Sequence, residues 1–168
     1  SENVDVPVIS TAIPQTLTCA VLTVPVNGSV TQPTGGFTAD WATADGHFVS
    51  GQNSLNAVVD APGVYILTVE NLQNGCTTTA QAVVLQNITP PVAQAAAPDE
   101  ITCAAPVVSL NGAGSSTGTD FTYNWSGSQI TGGQNTLTPT VSAAGIYSLT
   151  VTNQTNGCTT TATATVGS

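Results

Sequence analysis

The 168-residue chain contains no lysine and no arginine, so its nine carboxylates face a single histidine and the formal net charge is −9. A surface without cations cannot neutralise phosphates, which excludes duplex and single-stranded nucleic acid as partners. It also offers nothing to an anionic membrane surface. Phosphoryl transfer is unsupported for the same reason, since no phosphate-cradling Gly-rich loop ending in Lys is present. Methionine is missing as well, and the opening Ser1-Glu2-Asn3 has neither the basic region nor the apolar stretch of a signal peptide. The expectation is a processed chain or a segment of a longer one. No apolar run approaches the roughly 18 residues needed to cross a bilayer, so membrane insertion is not expected. Charged residues make up 5% of the chain and aromatics 5%.

Apolar residues are nevertheless 40% of the sequence and the mean hydropathy is +0.20, enough for a core and against disorder. The chain repeats itself. Leu17-Thr18-Cys19-Ala20 recurs as Ile101-Thr102-Cys103-Ala104, Trp41 as Trp125, Pro62-Gly63-Val64-Tyr65 as Ala144-Gly145-Ile146-Tyr147, and Asn74-Gly75-Cys76-Thr77 as Asn156-Gly157-Cys158-Thr159. The offset is 84 as far as the tryptophan and 82 beyond it, which places a two-residue deletion between Trp125 and Tyr147. Two units, 1–86 and 87–168, account for the whole chain.

Within each unit the apolar pattern has period two, the spacing of a strand with one buried face. Phe121, Tyr123 and Trp125 share a face, as do Tyr147, Leu149 and Val151, and the last strand sets Ala162, Ala164 and Val166 against Thr161, Thr163 and Thr165. Asn-Gly and Gly-Gly pairs at Asn27-Gly28, Gly35-Gly36, Asn111-Gly112 and Gly132-Gly133 punctuate these runs as turns. Nothing reads as a helix. The expectation is an all-β protein of two tandem β-sandwich domains, each with about seven strands.

Val108-Ser109-Leu110-Asn111-Gly112-Ala113-Gly114, then Tyr123-Asn124-Trp125-Ser126, then Ala144-Gly145-Ile146-Tyr147-Ser148-Leu149-Thr150-Val151, resembles the PKD-type immunoglobulin-like repeat. The flanking Ile-Thr-Cys and Asn-Gly-Cys-Thr are similar to the version found in tandem in large secreted bacterial surface proteins. The resemblance covers nearly all of unit 2 and, more loosely, unit 1. It departs from antibody domains, where the tyrosine lies two residues before the second cysteine, whereas here it lies 11 before, so no pin through the core is expected. Such modules serve as spacers, adhesins and fibre subunits alike, so function does not follow from the fold.

Four cysteines permit three pairings. The repeat favours Cys19 with Cys76 and Cys103 with Cys158, one bridge per unit, each closing a loop of about 57 residues and contributing about 4 kcal/mol in the chain-entropy model. A zinc site is the rival, but no Cys-x-x-Cys pair exists and the lone histidine is in unit 1. Disulfides place the protein outside the cytoplasm, secreted or at a cell surface.

Little else suggests chemistry. His47 has Asp45 as a sequence neighbour, but no motif sets a nucleophile beside it, and a solvated loop histidine is expected. The carboxylates are scattered apart from Asp99-Glu100, so neither a glycosidase pair nor a calcium site is expected, those two being the sole contributors calcium could use. No cofactor, no metal and no enzymatic activity are expected. Trp41 and Trp125 share strand faces with Phe37 and Phe121 and are expected in the core rather than as sugar-stacking platforms. Glycosylation sequons occur at Asn27, Asn87, Asn124 and Asn153, and Asn124 alternates with aromatics, which turns it outward.

Natural sandwiches guard their edge strands with lysine, and this chain has none, so sugars or neighbouring subunits are expected to cover the edges. From Cys76 to Pro91 is 15 residues, and from Cys158 through Ser168 to Pro7 of a following copy would be 17. The expectation is a structural subunit of an extracellular fibre or surface appendage, assembling head to tail with copies of itself for attachment or matrix. The alternative is an adhesin or carbohydrate-binding module of a larger secreted protein, with surface glycans as partner. The candidate subunit interface comprises Val4, Val6, Val8, Ile9 and Ile13 of the N-terminal segment, ordered by a preceding subunit, against Thr163, Thr165 and Val166 of its last strand.

Overall fold

The computed structural model describes residues 5–168, which divide into two compact units, residues 5–87 and 88–168. Among the described residues every regular element is a strand.

Unit 1 contains β1 (Val8–Thr11), β2 (Leu17–Thr18), β3 (Val24–Gln32), β4 (Phe37–Thr43), β5 (Phe48–Ser50), β6 (Asn56–Val59), β7 (Gly63–Asn71), β8 (Thr77–Val84) and β9 (Gln86–Asn87). One sheet runs in the order β1-β3-β6-β5 and the other β4-β7-β8. That division, four strands against three, is the arrangement of a constant-type immunoglobulin domain. The short β2 adds in parallel to β9, the continuation of β8, as the first segment of the unit crosses from one sheet to the other.

Period-two patterning explains the sandwich. Tyr65, Leu67 and Val69 of β7 are buried while Val64, Ile66 and Glu70 are exposed, and Trp41 of β4 lies opposite Leu67 in the register. From the facing sheet come Val24 and Val26 of β3 with Ala57 and Val59 of β6, so the two inner faces form one core. Burying each such side chain stabilises the fold by about 1.5 to 3 kcal/mol.

Unit 2 repeats this plan with β10 (Val108–Ser109), β11 (Phe121–Ser126), β12 (Ile130–Gly132), β13 (Thr140–Val141), β14 (Gly145–Asn153) and β15 (Thr159–Val166). Its sheets are β10-β13-β12 and β11-β14-β15, with Ala96 bridging Asn111 where the first strand of unit 1 would lie. Trp125 faces Leu149 as Trp41 faces Leu67. Both indoles are fully buried, with Nε1 donating to the carbonyl of Leu55 (3.3 Å) in unit 1 and of Thr136 (2.9 Å) in unit 2.

The tyrosine expected in the core of each unit is also a corner tie. Tyr65 Oη donates to the carbonyl of Ala61 (2.7 Å), four residues upstream, and Tyr147 Oη does the same to Ala143 (2.6 Å). This is the corner characteristic of Greek-key sandwiches, here kept without the cysteine two residues on.

The N-terminal segment departs from expectation. β1 pairs antiparallel with β3 of its own unit, Thr11 Oγ1 donates to the Gln81 carbonyl, and Ile9 packs against the unit 1 core. Pro7 is buried, while Val6, Val8 and Ile13 remain exposed. Ile9 is thus half claimed by its own domain, and Val166 is fully so, since it lies in the unit 2 core at 2% exposure. Neither is a free subunit surface, because each occupies an inward position of its strand. Thr163 and Thr165 face outward as expected, and Val4 lies outside the described residues.

Candidate functional site

Each unit has two poles, one where the chain enters and one where it leaves, and a cysteine stands at both. In unit 1 the chain arrives at Asp5, whose carbonyl accepts bonds from Asn71 Nδ2 (3.4 Å) and Asn74 Nδ2 (2.9 Å). Asn71 ends β7 and Asn74 lies in the loop that joins it to β8. Asn74 Oδ1 in turn accepts the Cys76 backbone N–H (2.9 Å), and the Asn71 N–H donates to the Cys76 carbonyl (2.9 Å). Gly75 sits between them at φ +70°, a left-handed conformation that glycine adopts without steric penalty. Cys76 is therefore fixed at the N-terminal pole beside the incoming chain.

At the opposite pole Leu17 N–H donates to the Leu85 carbonyl (2.8 Å), and β2 lies along β9. Thr18 then closes a tight turn, with its N–H bonded to the Val21 carbonyl (2.9 Å) and its Oγ1 accepting from Ala20 and Val21 N–H. Cys19 is the exposed tip of that turn.

Unit 2 reproduces both devices. Asn156 Nδ2 donates to the Thr89 carbonyl (2.9 Å) and its Oδ1 accepts the Cys158 N–H (3.0 Å), with Gly157 at φ +71°. Ile101 N–H donates to the Gly167 carbonyl (3.0 Å), and Thr102 closes the turn to Ala105 with Cys103 at its tip.

This geometry overturns the expected pairing. Cys19 and Cys158 are disulfide-bonded, whereas Cys76 and Cys103 carry free thiols. Bridges Cys19 to Cys76 and Cys103 to Cys158 do not form because the two cysteines of each unit stand at opposite ends of its last strand. The eight residues of β8, or of β15, span about 26 Å at roughly 3.3 Å per residue. A disulfide tolerates a Cα separation of about 7 Å at most. No local sequence signal shows this, because it depends on Leu17-Thr18 lying beside the end of the last strand rather than its beginning.

The remaining candidates are dispersed. His47 is exposed, and its Nδ1 lies 2.6 Å from Asp60 Oδ1 rather than against Asp45. Asp45 is occupied in the loop, accepting the Val64 N–H (3.1 Å) and the Thr43 hydroxyl (3.3 Å). Asp99 and Glu100 are exposed, and among the described residues no three of His, Cys, Asp and Glu gather as a metal-holding group. Asn27, Asn87 and Asn124 are exposed, while Asn153 is half-buried with its Oδ1 accepting the Thr155 N–H (2.9 Å). An open cleft at the N-terminal pole of unit 1 is lined by Asp5, Gln32, Pro33, Asn71 and Gln73 and offers amides and one carboxylate, with no nucleophile among them.

No family model matches the sequence, and no curated protein matches it. Among solved structures, the chain is similar over 96% of its length to a Ca2+-stabilised adhesin that helps an Antarctic bacterium reach out and bind ice, at 13% identity and a TM-score of 0.65. It also matches the three N-terminal domains of the highly immunogenic outer capsid protein of bacteriophage RB49 (14% identity, TM-score 0.43, 96% of the chain) and the I67–I69 fragment of titin (11%, 0.41, 98%). The chain spans 48% of the adhesin, 58% of the capsid protein fragment and 66% of the titin fragment. At these identities the likeness concerns the fold, tandem immunoglobulin-like β-sandwiches.

Proposed function

We propose that the chain is a structural segment of an extracellular surface or attachment protein, in which immunoglobulin-like units follow one another head to tail as a fibre or appendage. The observation that carries this reading is the identical equipment of the poles. Each unit holds its incoming chain and a cysteine in one asparagine-clamped loop, and presents a second cysteine on a threonine-closed turn where the chain leaves. Such polarity suits units stacked in one direction, a heterologous contact that does not close on itself. Oxidised Cys19 and Cys158 support a location outside the cytoplasm. The resemblance to PKD-type repeats of secreted bacterial proteins and the shared fold of a bacterial adhesin agree with it. No enzymatic step and no cofactor enter the reading. A sugar-stacking module would need an exposed indole platform, and both tryptophans are inside.

Sedimentation velocity and electron microscopy of the purified chain, across a range of concentrations without reductant, test the proposal. Unidirectional strings whose length grows with concentration are the expected result. A chain that stays monodisperse and monomeric, and that binds an array of glycans, would replace the fibre by the binding module.

A further inference from the structure

We propose that the free edge of β4 in unit 1 is a docking site for an extended peptide of a partner protein, one that alternates apolar residues with lysine or arginine and adds to the sheet as a further strand. The inference goes beyond the head-to-tail reading and does not depend on it.

β4 stands at the end of its sheet, with β7 on one side only. Two bonds show which of its backbone groups face the open side. Trp41 N–H donates away from β7, to the Gln52 carbonyl (2.8 Å), whereas the Gly36 carbonyl accepts Leu72 N–H (2.8 Å) in line with the β7 ladder. Successive residues of a strand direct their N–H and C=O to alternate sides. The groups of Phe37 and Ala39 therefore point outward with those of Trp41, and among the described residues nothing bonds them. An edge left in this state is a template for another strand unless it is covered or guarded by lysine. Beside it lies an open cleft of about 480 Å³, lined by Phe37, Ala39, Asp40, Asn53 and Leu55. Half-buried Phe37 and Leu55 offer the inward side chains of an added strand an apolar seat.

The repeat supplies its own contrast. In unit 2 the cleft recurs beside β11, lined by Phe121, Thr122, Tyr123 and Asn135. There Phe121 N–H donates to the Gly118 carbonyl (3.4 Å) and Tyr123 Oη to the Ser116 carbonyl (2.9 Å), so the preceding loop closes part of the edge. Asn124 and Thr152 stand where unit 1 has Asp40 and Glu70. Those two carboxylates are exposed and lie diagonally on the outer face of the sheet, Glu70 directly opposite Thr38. The chain has no lysine or arginine to set against them. Charge complementarity thus names the occupant. A strand laid along β4 turns alternate residues over the cleft and the others outward, beside Asp40 and across Thr38 from Glu70, where cationic side chains are stabilised. A second copy of this chain has none to offer, and edge-to-edge pairing of two copies would set Asp40 against like charge. Main-chain bonds would hold such a peptide and the alternating side chains would select it.

Fluorescence anisotropy of the full chain with a labelled Val-Lys-Val-Lys-Val peptide, alongside amide hydrogen exchange, tests the proposal. The peptide should bind saturably and slow exchange at Phe37 and Ala39 while leaving Tyr123 unchanged. The same peptide N-methylated at its valines keeps the charge and loses the donors, and it should bind at least about tenfold more weakly. The double variant Asp40→Asn/Glu70→Thr gives unit 1 the residues that unit 2 carries at those positions. It should bind the parent peptide about fivefold more weakly, a difference that shrinks as salt is added. An N-methylated peptide that binds as tightly as its parent would reduce the effect to bulk charge attraction and overturn the proposal. A Val-Glu-Val-Glu-Val peptide of equal affinity, a double variant of undiminished affinity, exchange slowed at β11 instead of β4, or no binding at all would overturn it too. Protection of Phe37 and Ala39 that grows with protein concentration in the absence of peptide would assign the edge to a second copy and refute the basic partner.

Discussion

Tyr65 illustrates how one side chain closes a domain and leaves a pH signature. Its hydroxyl donates to the Ala61 carbonyl and accepts the His47 N–H (3.0 Å), and Phe48 packs edge-on against its ring with centroids 5.3 Å apart. Burial raises its pKa above the usual phenol value, His47 draws it down, and the carboxylates of Asp60 and Asp45 push it up again. A raised folded-state value means that the unfolded phenol ionises first. The stabilisation is therefore whole below about pH 10 and lost as pH climbs through the folded value. Urea midpoints measured from pH 8 to pH 11 should fall for the native chain, and Tyr65→Phe should flatten that decline while losing about 1 kcal/mol at neutral pH with the corner bond. An unchanged alkaline slope in the variant would contradict the assignment. Trp41 makes a simpler demand: Trp41→Ala empties the centre of unit 1 and should cost about 3 to 5 kcal/mol in chemical denaturation, with the unit 2 core untouched.

The loops joining β7 to β8 and β14 to β15 share one design but differ in burial. Asn156 is buried at 2% exposure, whereas Asn74 is only partly buried, although each bridges a cysteine N–H to the incoming chain. Replacing Asn156 by Ala should cost about 2 to 3 kcal/mol, since it strands buried donors and acceptors, and Asn74→Ala about 1 kcal/mol because water can replace its bonds. Thermal unfolding of the two variants side by side checks the order, which equal losses would refute. These loops also mark the boundary of what the sequence discloses. Period-two alternation, the tryptophan on its strand face and the tyrosine after Pro-Gly or Ala-Gly were legible, because burial on one face of a strand imposes a local pattern. The pole on which each cysteine stands was not, because it depends on β2 running parallel to β9, a pairing between segments 69 residues apart that no local pattern encodes. The same applies to β1. Its four residues, Val8 to Thr11, carry no pattern that names a partner, and in place of the preceding subunit expected to order the segment, the edge of β3 in its own unit takes it up.

At the scale of the whole molecule, two separate cores share their architecture without either containing a sulfur bridge. The unit 1 core is made of residues such as Trp41, Tyr65, Leu67 and Val24, and the unit 2 core of Trp125, Tyr147, Leu149 and Val141, while the bonded cysteines stand at the poles. An antibody-type domain, pinned through its centre, would lose packing around the tryptophan on reduction. Here the expectation is the reverse. Because no bridge closes a loop within either unit, the contribution of about 4 kcal/mol per unit that an internal disulfide would supply is missing from the start. Each sandwich is held by burial, strand pairing and side-chain hydrogen bonds such as the tyrosine corner, without an internal bridge. Reducing Cys19 and Cys158 should therefore leave both indoles in their apolar settings, with blue-shifted tryptophan emission and near-ultraviolet dichroism unchanged at neutral pH and 25 °C. Amide hydrogen exchange should accelerate at the Thr18–Val21 turn and the Asn153–Cys158 loop, the segments that carry the bonded cysteines, and stay slow along β7 and β14. A red shift of the emission on adding reductant, with exchange spreading into β7 or β14, would show that the disulfide supports the cores and would refute this account.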